Sequence, residues 1–491
     1  MKKGIIFLIL LFLITYCNAQ EYRYTKIESL QCDKYFSSLF NNPATKYYKY
    51  RYSYWEINSG FDISEKNRLV QNADKSENYL FTTNSYIKNK KVLYYGSLNY
   101  RTSKDKNVGW LKSSDYEYLY PYVLFNKGNI DLNSEEYMFS GGYSNILGKN
   151  RIGIFGKYRA MYEFGKKDPR PRNIISQYSL NLGISRQIRN HYILGFSFNI
   201  DIYNQANILK VFREGDKVKM YFMKGFGYYD RIFSMMFRNF TIYHDMQTYT
   251  LSLQLFKHNL KGYFALINYK HINLNHDLSL NQDINLANQS RNSFDISFGK
   301  RISDNFVSKL LVNYLKHKNT ENVYESIGSG QYRKITSYSN MDIMSYRLIN
   351  SNMYSSINQK FNLILDLGFY KYKEEYKITN DYIDISTGIL NISSLIKFKN
   401  LSLEALLGYS RNLKSKYQFV DHSKMEDIKA KVLEPNYNYL SSNKYKMGLN
   451  VIYKYRINEK YQLALSLKSK VEKSSIYNLS HQSIFKIGII F

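Results

Sequence analysis

The chain has few cysteines, few prolines and no long apolar run after its first residues. Of its two cysteines, only Cys32 lies beyond the N-terminal apolar stretch, so the remaining chain can form no internal disulfide. No run of about 18 apolar residues follows Ile14, which excludes a transmembrane helix. Five prolines, 25 glycines and the lack of any linker-like segment favour one large β-structure over a string of soluble domains.

The N-terminus is typical of a secretory signal peptide. Two lysines precede a short apolar run, Ile5–Ile14, and small residues at Cys17 and Ala19 precede the expected cleavage site. Residues 1–19 are therefore predicted to be a signal peptide. A lipoprotein would acylate Cys17, but bulky Tyr16 stands where a small residue is needed.

The last eleven residues alternate in the manner of a membrane-spanning strand. Phe485, Ile487, Ile489 and Phe491 fall on one face, and the smaller or charged side chains between them fall on the other. A segment of about ten residues with this pattern is what a transmembrane β-strand requires, and a terminal Phe resembles the end of bacterial outer-membrane barrels. The same alternation recurs through the chain, most clearly at 178–184, 192–202, 402–410, 445–457 and 461–468.

The connections between these segments are of two kinds. Short polar turns, such as the one at 399–400, alternate with long connections, such as 205–244, 318–336 and 414–440. Short periplasmic turns and long extracellular loops are typical of outer-membrane barrels, and the count gives about 18 strands, with 16 or 14 as alternatives. This count places Tyr116–Phe125 in a loop, because Pro121 argues against a central strand.

Alternation alone would also suit a soluble β-sandwich. The signal peptide, the turn asymmetry and the strand length favour an all-β, transmembrane antiparallel barrel, since a sheet in hydrocarbon must close on itself. The expected organisation is a signal peptide at 1–19, a periplasmic N-terminal segment at 20–45 and an outer-membrane barrel at 46–491.

The charge is strongly positive, with 69 Lys and Arg against 40 Asp and Glu. This excess indicates either anionic partners, such as lipopolysaccharide or acidic solutes, or the codon usage of an AT-rich genome. A set of basic residues is predicted to face the lumen and to favour anions: Lys446, Lys454, Arg456, Lys468 and Lys486.

The word D-P-R-P-R-N at 168–173 holds two arginines in a stiff, extended stretch. Arg170 and Arg172 should then project to the same side and offer a contact for an anion or for lipopolysaccharide. The alternative is a stiff loop whose arginines pair with neighbouring acids.

No enzymatic activity, metal site or cofactor is predicted. His244-Asp245, His276-Asp277 and Asp421-His422 are the adjacent His–acid pairs, and neighbours on a strand face opposite ways, which makes poor catalytic dyads. No cluster of metal ligands or phosphate-binding glycine loop is visible in the sequence, and nucleic acid is not an expected partner of an exported membrane protein.

Several words together carry a resemblance to a family. N-N-P-A at 41–44, Y-P-Y at 120–122, S-G-G-Y-S at 140–144, L-G-K-N at 147–150 and D-P-R-P-R-N resemble an uncharacterised family of Bacteroidetes outer-membrane barrels. The resemblance covers most of the first half of the chain. It implies an outer-membrane location near TonB-dependent transporters, and it supplies no catalytic residue.

Two functions follow as hypotheses. The first is a channel or an accessory component of a solute-uptake system, with the segment 205–244 long enough to fold inward as a constriction. The second is a non-conducting barrel that docks a TonB-dependent transporter, a secretion component or a surface ligand through its long loops.

Overall fold

The computed structural model describes residues 35–65, 69–210, 212, 220–230, 239–279, 282–328, 331–356, 360–420, 426–458, 460–477 and 479–491. The predicted signal peptide, Cys32 and the pair Asp421-His422 lie outside these residues.

Twenty strands form one antiparallel sheet, and all except β8 and β9 close into an 18-stranded barrel, as the sequence predicts. The barrel closes where the first and last strands pair, from Glu56 opposite Ile490 to Ser64 opposite Gln482. β7 pairs directly with β10, so the two short strands between them leave the wall. The strands are β1 (Tyr54–Glu65), β2 (Lys75–Lys88), β3 (Leu93–Leu111), β4 (Leu124–Leu147), β5 (Asn150–Gly165), β6 (Arg170–Gln187), β7 (Tyr192–Lys210), β8 (Met220–Gly225), β9 (Tyr228–Asp230), β10 (Asn239–Lys257), β11 (Gly262–Ser279), β12 (Asp283–Arg301), β13 (Phe306–Gly328), β14 (Gln331–Ser355), β15 (Phe361–Tyr376), β16 (Asp381–Lys397), β17 (Leu401–Gln418), β18 (Lys444–Arg456), β19 (Gln462–Ser474) and β20 (Ser480–Ile490).

The helical segments are few. Short 3₁₀ turns occupy Ser37–Phe40, Thr45–Tyr48 and Arg189–His191, and Tyr116–Leu119 forms a single α-helical turn, α1. Glu426–Ile428, Lys429–Leu433 and Glu434–Ser441 follow one another as one helical segment, α2, whose middle part is π-helical. Among the described residues, no helix has the length and apolar character needed to cross a bilayer.

Side chains alternate between the outer face of the barrel and its lumen. On β18, Tyr445, Met447 and Leu449 are each half-exposed or more, while the residues between them point inward. The same parity places Phe485, Ile487 and Ile489 of β20 on the outer face. The outer face therefore carries the apolar band that hydrocarbon requires.

The two ends of the barrel differ as predicted, but the strands reach further than expected at the long-loop end. The segment 318–336, expected to be a loop, is mostly paired strand in β13 and β14. Register shifts after Asn319 and Val323 interrupt the period of two, which explains why the sequence pattern faded there. Residues 205–210 and 239–244, expected within a long loop, extend β7 and β10 in the same way.

Candidate functional site: a polar chamber between two plugs

The short-turn end of the lumen is filled by residues 35–52, here called the N-terminal plug. Aromatic and aliphatic side chains anchor it, with Phe36 against Phe264 at 5.2 Å and Phe40 against Phe256 at 5.4 Å between ring centroids. The hydroxyl of Tyr35 donates to the carbonyl oxygen of Ser351 at 2.8 Å. The plug therefore contacts the wall from β10 to β14, and it crosses to the strands on the opposite side.

The N-N-P-A word docks against glycines of the wall. A Cβ at Gly183 would lie 2.0 Å from Oδ1 of Asn42, and one at Gly153 would lie 2.5 Å from the backbone of Ala44. Nδ2 of Asn42 donates to the carbonyl oxygen of Phe196 at 3.0 Å. Only residues without a side chain allow this close approach of two backbones.

The plug ends on cationic and polar contacts with β2 and β5. The Tyr86 hydroxyl donates to the carbonyl oxygen of Lys46 at 2.9 Å, and Arg151 lies over the Tyr47 ring at 3.5 Å. Burial lowers the pKa of Lys46 to about 8, with a further contribution from the charge of Lys49. These contacts hold the segment inside the barrel mouth.

A second, larger plug fills the long-loop end. It consists of residues 112–123, which include α1, the hairpin β8–β9 and the helical segment α2; together they are called the outer plug. Leu119 and Tyr122 are fully buried, Tyr122 stacks on Phe222 of the hairpin at 5.9 Å, and Val432 of α2 is 1 % exposed. The sequence predicted residues 116–125 to be a loop, and the structure folds most of them into the lumen, with β4 beginning at Leu124.

A buried polar network seats the start of this plug on β5, β6 and β7. Nδ2 of Asn207 donates to the Lys112 carbonyl oxygen at 3.1 Å and to the Ser113 hydroxyl at 2.9 Å. Nδ2 of Asn173, the last residue of D-P-R-P-R-N, donates to Glu163 at 2.9 Å and to the Lys112 carbonyl at 3.3 Å. Burial lowers the pKa of Lys112 to about 8.

An ion-pair cluster completes the seat. Asp115, at φ 51°, receives two hydrogen bonds from Arg159, at 2.7 and 3.1 Å. Arg159 also donates to Glu136 at 3.0 Å, and the Tyr203 hydroxyl donates to Asp115 at 3.1 Å. One guanidinium on the wall thus bridges a carboxylate of the plug and a carboxylate of β4.

The plug is held on the far side of the lumen as well. Gln289 donates to the Leu119 carbonyl oxygen at 2.8 Å, Arg291 donates to the Tyr118 carbonyl oxygen at 2.5 Å, and the Tyr120 hydroxyl contacts Glu374. The hairpin reaches the same side, where the Tyr228 hydroxyl donates to Asp381 at 2.7 Å. The outer plug therefore spans the barrel from β4–β7 to β12–β16.

α2 covers the remaining sector. Nδ2 of Asn436 donates to Gln71 at 3.0 Å, and Oδ1 of Asn436 accepts from the Val70 amide at 2.8 Å. The Tyr439 hydroxyl donates to Glu472 at 2.7 Å, at the long-loop end of β19. With these contacts the outer plug reaches every sector of the long-loop end.

Between the two plugs lies a belt of polar inward side chains that neither plug buries, here called the central chamber. On β7, Asn199 and Asp201 are partly exposed, whereas Ser197 and Tyr203 on either side are buried. On β11, Asn268 and Lys270 lie in the same way between buried residues. Polar side chains of the chamber wall hydrogen-bond to one another. For example, Nε2 of Gln177 donates to Asp201 at 2.8 Å.

The N-terminal plug leaves one sector of the wall uncovered. The inward residues of β18 from Lys444 to Lys454 and of β19 from Gln462 to Glu472 are all partly or fully exposed. No described residue of β17–β20 belongs to the hydrophobic clusters that fill the rest of the lumen. The central chamber therefore opens toward the short-turn end along this sector.

The predicted lumen residues lie on this uncovered sector. Lys446, Lys454, Lys468 and Lys486 have the inward parity of their strands, and Arg456 is exposed at the end of β18. Lys446 pairs with Glu472 at 3.3 Å. Small inward residues such as Gly448 and Gly488 alternate with the lysines along these strands.

The predicted arginine pair lies elsewhere, on the outer face. Arg170 and Arg172 are both exposed on the outer side of β6, with buried Pro171 between them. Arg170 pairs with Asp168 at 2.9 Å and lies over the Phe212 ring at 4.4 Å. Arg170 and Arg172 therefore lie outside the lumen, away from the inward lysines.

The His–acid pairs do not form dyads in the described part of the chain. His244 and His276 are cross-strand neighbours, both fully buried, with their Nδ1 atoms 2.7 Å apart. The Tyr122 ring lies 5.1 Å from His276, so the histidines form part of the seat of the outer plug. Across the described ranges, no group of three or more Cys, His, Asp or Glu residues could hold a metal ion.

The residues that seat the plugs were not identified from the sequence. Arg159, Glu163, Asn173 and Asn207 are inward polar residues of the neighbouring strands β5, β6 and β7, and inward polar residues are equally expected of a water-filled lumen. Pro121 was a usable signal. It excluded a strand at this position, yet the apolar residues around it still required burial, which the lumen provides.

The fold and the filled lumen define the class: a closed antiparallel β-barrel plugged by segments of its own chain. Residues 43–491 match the model of a family of unknown function (DUF6850), and the chain belongs to that family. This match confirms the expected membership of an uncharacterised family. No curated protein matches the chain.

Several solved structures are similar at low identity. The siderophore receptor PiuA from Acinetobacter baumannii is 8% identical with a TM-score of 0.47, covering 90% of this chain and 82% of that chain. The ferric preacinetobactin receptor BauA from the same organism is 9% identical with a TM-score of 0.44, covering 90% and 80%. The ferric yersiniabactin uptake receptor FyuA from Yersinia pestis is 8% identical with a TM-score of 0.44, covering 89% and 79%.

Proposed function

We propose that the protein is an outer-membrane barrel that takes part in solute uptake as a gated conduit. The observation that carries this proposal is the central chamber, which is polar, open toward the short-turn end beside β17–β20 and covered at the long-loop end by the outer plug. In an outer membrane the short turns face the periplasm and the long-loop end faces outward. The resting state is then closed to the outside.

The charge of the uncovered sector supports an anionic solute. Lys454, Lys468 and Lys486 lie along the route from the chamber to the short-turn end, whereas Lys446 lies near the outer plug, and their field favours anions over cations. Glu404 and Glu472 offset part of this charge, since Glu404 accepts a hydrogen bond from Asn450 at 3.1 Å and Glu472 pairs with Lys446. The selectivity is therefore a bias and not an absolute barrier.

Thiol labelling from each side of the membrane tests the direction of access. Ser466, an inward residue of β19, is replaced by cysteine in a Cys32→Ser background, and the barrel is inserted with one orientation into liposomes. A membrane-impermeant maleimide should label Ser466→Cys from the short-turn side and not from the long-loop side. Leu467→Cys, on the outer face of the same strand, is the matched control that neither side should label.

Labelling of Ser466→Cys from the long-loop side at the same rate would contradict a closed outer plug. Protection from both sides would contradict the open sector beside β17–β20. In both cases the labelled barrel must keep the gel mobility of the folded wild type.

A second candidate function is a docking barrel for a TonB-dependent transporter or a secretion component. The observation that favours it is the projecting end of the β13–β14 hairpin, where Ile327, Ile335 and Tyr338 are 54%, 57% and 49% exposed. Replacing all three with serine should abolish cross-linking to a neighbouring outer-membrane protein in cells, with no effect on thiol labelling.

Arg170 and Arg172 are proposed as contacts for anions or lipopolysaccharide on the outer face.

A further inference from the structure

Outward-facing aromatic residues mark the upper edge of the apolar band on β11 to β14. Tyr269, Phe294, Tyr314 and Tyr346 stand opposite one another in successive strand pairs, all on the outer face. The Tyr269 and Phe294 rings are 4.9 Å apart. Such a row is the aromatic girdle that barrels place at the level of the lipid headgroups.

The same row continues into β15, β16 and β17 with different chemistry. Tyr346 stands opposite Lys371, Lys371 opposite Ser386, and Ser386 opposite Lys414. One row nearer the apolar band, Arg411 stands opposite Gly388. Along this row, two lysines and a serine thus stand where β11 to β14 carry aromatic rings, while Phe369 and Tyr409 lie nearer the band.

A third row extends the basic surface away from the band. Lys373 and Lys416 flank Asp384 of β16, and Lys373 also pairs with Glu375 at 2.6 Å. The β15–β17 basic patch is defined here as Lys371, Lys373, Arg411, Lys414 and Lys416. Its five cations face three nearby carboxylates, Asp384, Glu375 and Asp342, and Asp342 also pairs with Lys377 at 3.0 Å, so the patch keeps a positive excess.

The geometry of the patch leaves a shallow gap between two basic strands. β15 and β17 are separated by β16, a distance of about 10 Å at two strand spacings. β16 contributes Gly388 and Ser386 there, and the exposed Leu413 side chain borders the gap, 3.6 Å from where a Cβ on Gly388 would stand. Lys371, Arg411, Lys414 and Lys416 are exposed around this gap.

Cations at headgroup level can bind an anionic group that a lipid carries. Leu390, opposite Tyr409, lies directly below the gap, and Leu407 lies one row further into the apolar band; the two leucines are 36% and 54% exposed. A ligand that fits both surfaces carries phosphates at headgroup level and acyl chains below them. Arg offers paired donors to a phosphate, and Lys offers a compact charge.

We propose that the β15–β17 basic patch binds the phosphate groups of a phosphorylated glycolipid in the outer leaflet, of the lipopolysaccharide type. The proposal rests on the outer-membrane location proposed above. It assigns a lipid contact to a surface remote from Arg170 and Arg172, which lie on β6.

The test is a lipid titration of the purified full chain in detergent, followed by native mass spectrometry. The probes are diphosphorylated lipid A, the same lipid without phosphates, and inorganic phosphate as competitor. In the variant Lys371→Gln/Arg411→Gln/Lys414→Gln, the apparent affinity for diphosphorylated lipid A should fall at least tenfold. The control, Lys257→Gln/Lys300→Gln, removes two cations that lie over Tyr192 and Tyr263 at the other edge of the band, and it should bind like wild type.

Two outcomes would overturn the proposal with wild-type protein alone: equal binding of the lipid without phosphates, or displacement of lipid A by inorganic phosphate at equal concentration. Unchanged affinity of the folded triple variant would also overturn it. The thiol labelling of Ser466→Cys is read in the same variant, so a failure of the lipid site and a failure of the conduit are distinguished.

Discussion

The substitution Arg159→Gln should loosen the outer plug without unfolding the barrel. Arg159 is the wall residue that bridges Asp115 of the plug and Glu136 of β4. Glutamine keeps part of the side-chain length but removes the charge, so it leaves two carboxylates facing each other next to the Tyr203 hydroxyl. The plug can relieve this repulsion by leaving its seat, whereas the strands of the wall remain paired.

The expected magnitude follows from the burial of the cluster. The side chains of Arg159, Asp115 and Glu136 are 11%, 17% and 20% exposed. Removing one partner of a buried ion pair costs about 3 to 5 kcal/mol, and this partial exposure places the cost near the lower end. A loss of about 3 kcal/mol raises the open fraction of the plug about a hundredfold.

Hydrogen exchange measured by mass spectrometry tests this magnitude. The Lys112 amide donates to the Leu124 carbonyl oxygen at 2.9 Å, so both ends of the segment 112–124 report on the seat. Exchange in this segment should be about a hundredfold faster in Arg159→Gln, with the strand amides of β5 and β6 unchanged. Lys157→Gln, an inward change on the same strand, should exchange like wild type.

Exchange of 112–124 within twofold of wild type would show that Arg159 does not hold the outer plug in its seat. Equal acceleration of the β5 amides would show that the substitution destabilises the wall and not the plug. Adding Asp115→Asn to Arg159→Gln removes one of the facing carboxylates and should slow the exchange again.

Three further predictions concern the plugs and the lumen. Gly183→Val should displace Asn42 and speed exchange in residues 39–48 about tenfold, as overpacking costs about 1 to 3 kcal/mol, while Gly156→Ala, which meets nothing within 4 Å, should not. Because the closed plug holds Lys112 with a pKa of about 8, against 10.5 when it is solvated, closing should strengthen as pH rises from 8 to 10.5. Iodide quenching of Trp110 fluorescence should fall across that window, and Lys112→Met should abolish the change; a flat wild-type profile would contradict it. In a barrel opened by Arg159→Gln, glutamine at the inward lysines of β18–β20 should move the reversal potential in a salt gradient toward cations, and an unchanged potential would exclude those lysines from the pathway.

The barrel itself could be predicted from local chemistry. Alternation depends only on neighbouring residues, so the outer faces of β18 and β20 were visible in Tyr445, Met447, Phe485 and Ile487. The turn asymmetry gave the correct even number of strands because short turns are polar and easily recognised. The extensions of β7, β10, β13 and β14 at the long-loop end were not predicted. In β13 the bulge after Asn319 breaks the period on which the prediction depends.

The plugs depend on contacts between distant parts of the chain. Ser113 and Asn207 are bonded across 94 positions, and no local pattern distinguishes such an asparagine from one that faces water. Asn173 follows Arg170 and Arg172, which the sequence predicted to contact an anion. The asparagine itself points inward and seats the plug. Polar residues that hold a segment in the lumen have the same pattern as polar residues that line an open pore.

In the proposed function, the outer plug is the gate of an otherwise polar conduit. Single-channel recording in planar bilayers tests it most directly, with wild type and Arg159→Gln compared at equal insertion. Wild type should be silent, and Arg159→Gln should show brief, anion-biased openings. Steady openings of wild type, or silence of Arg159→Gln when hydrogen exchange shows its plug released, would contradict the claim.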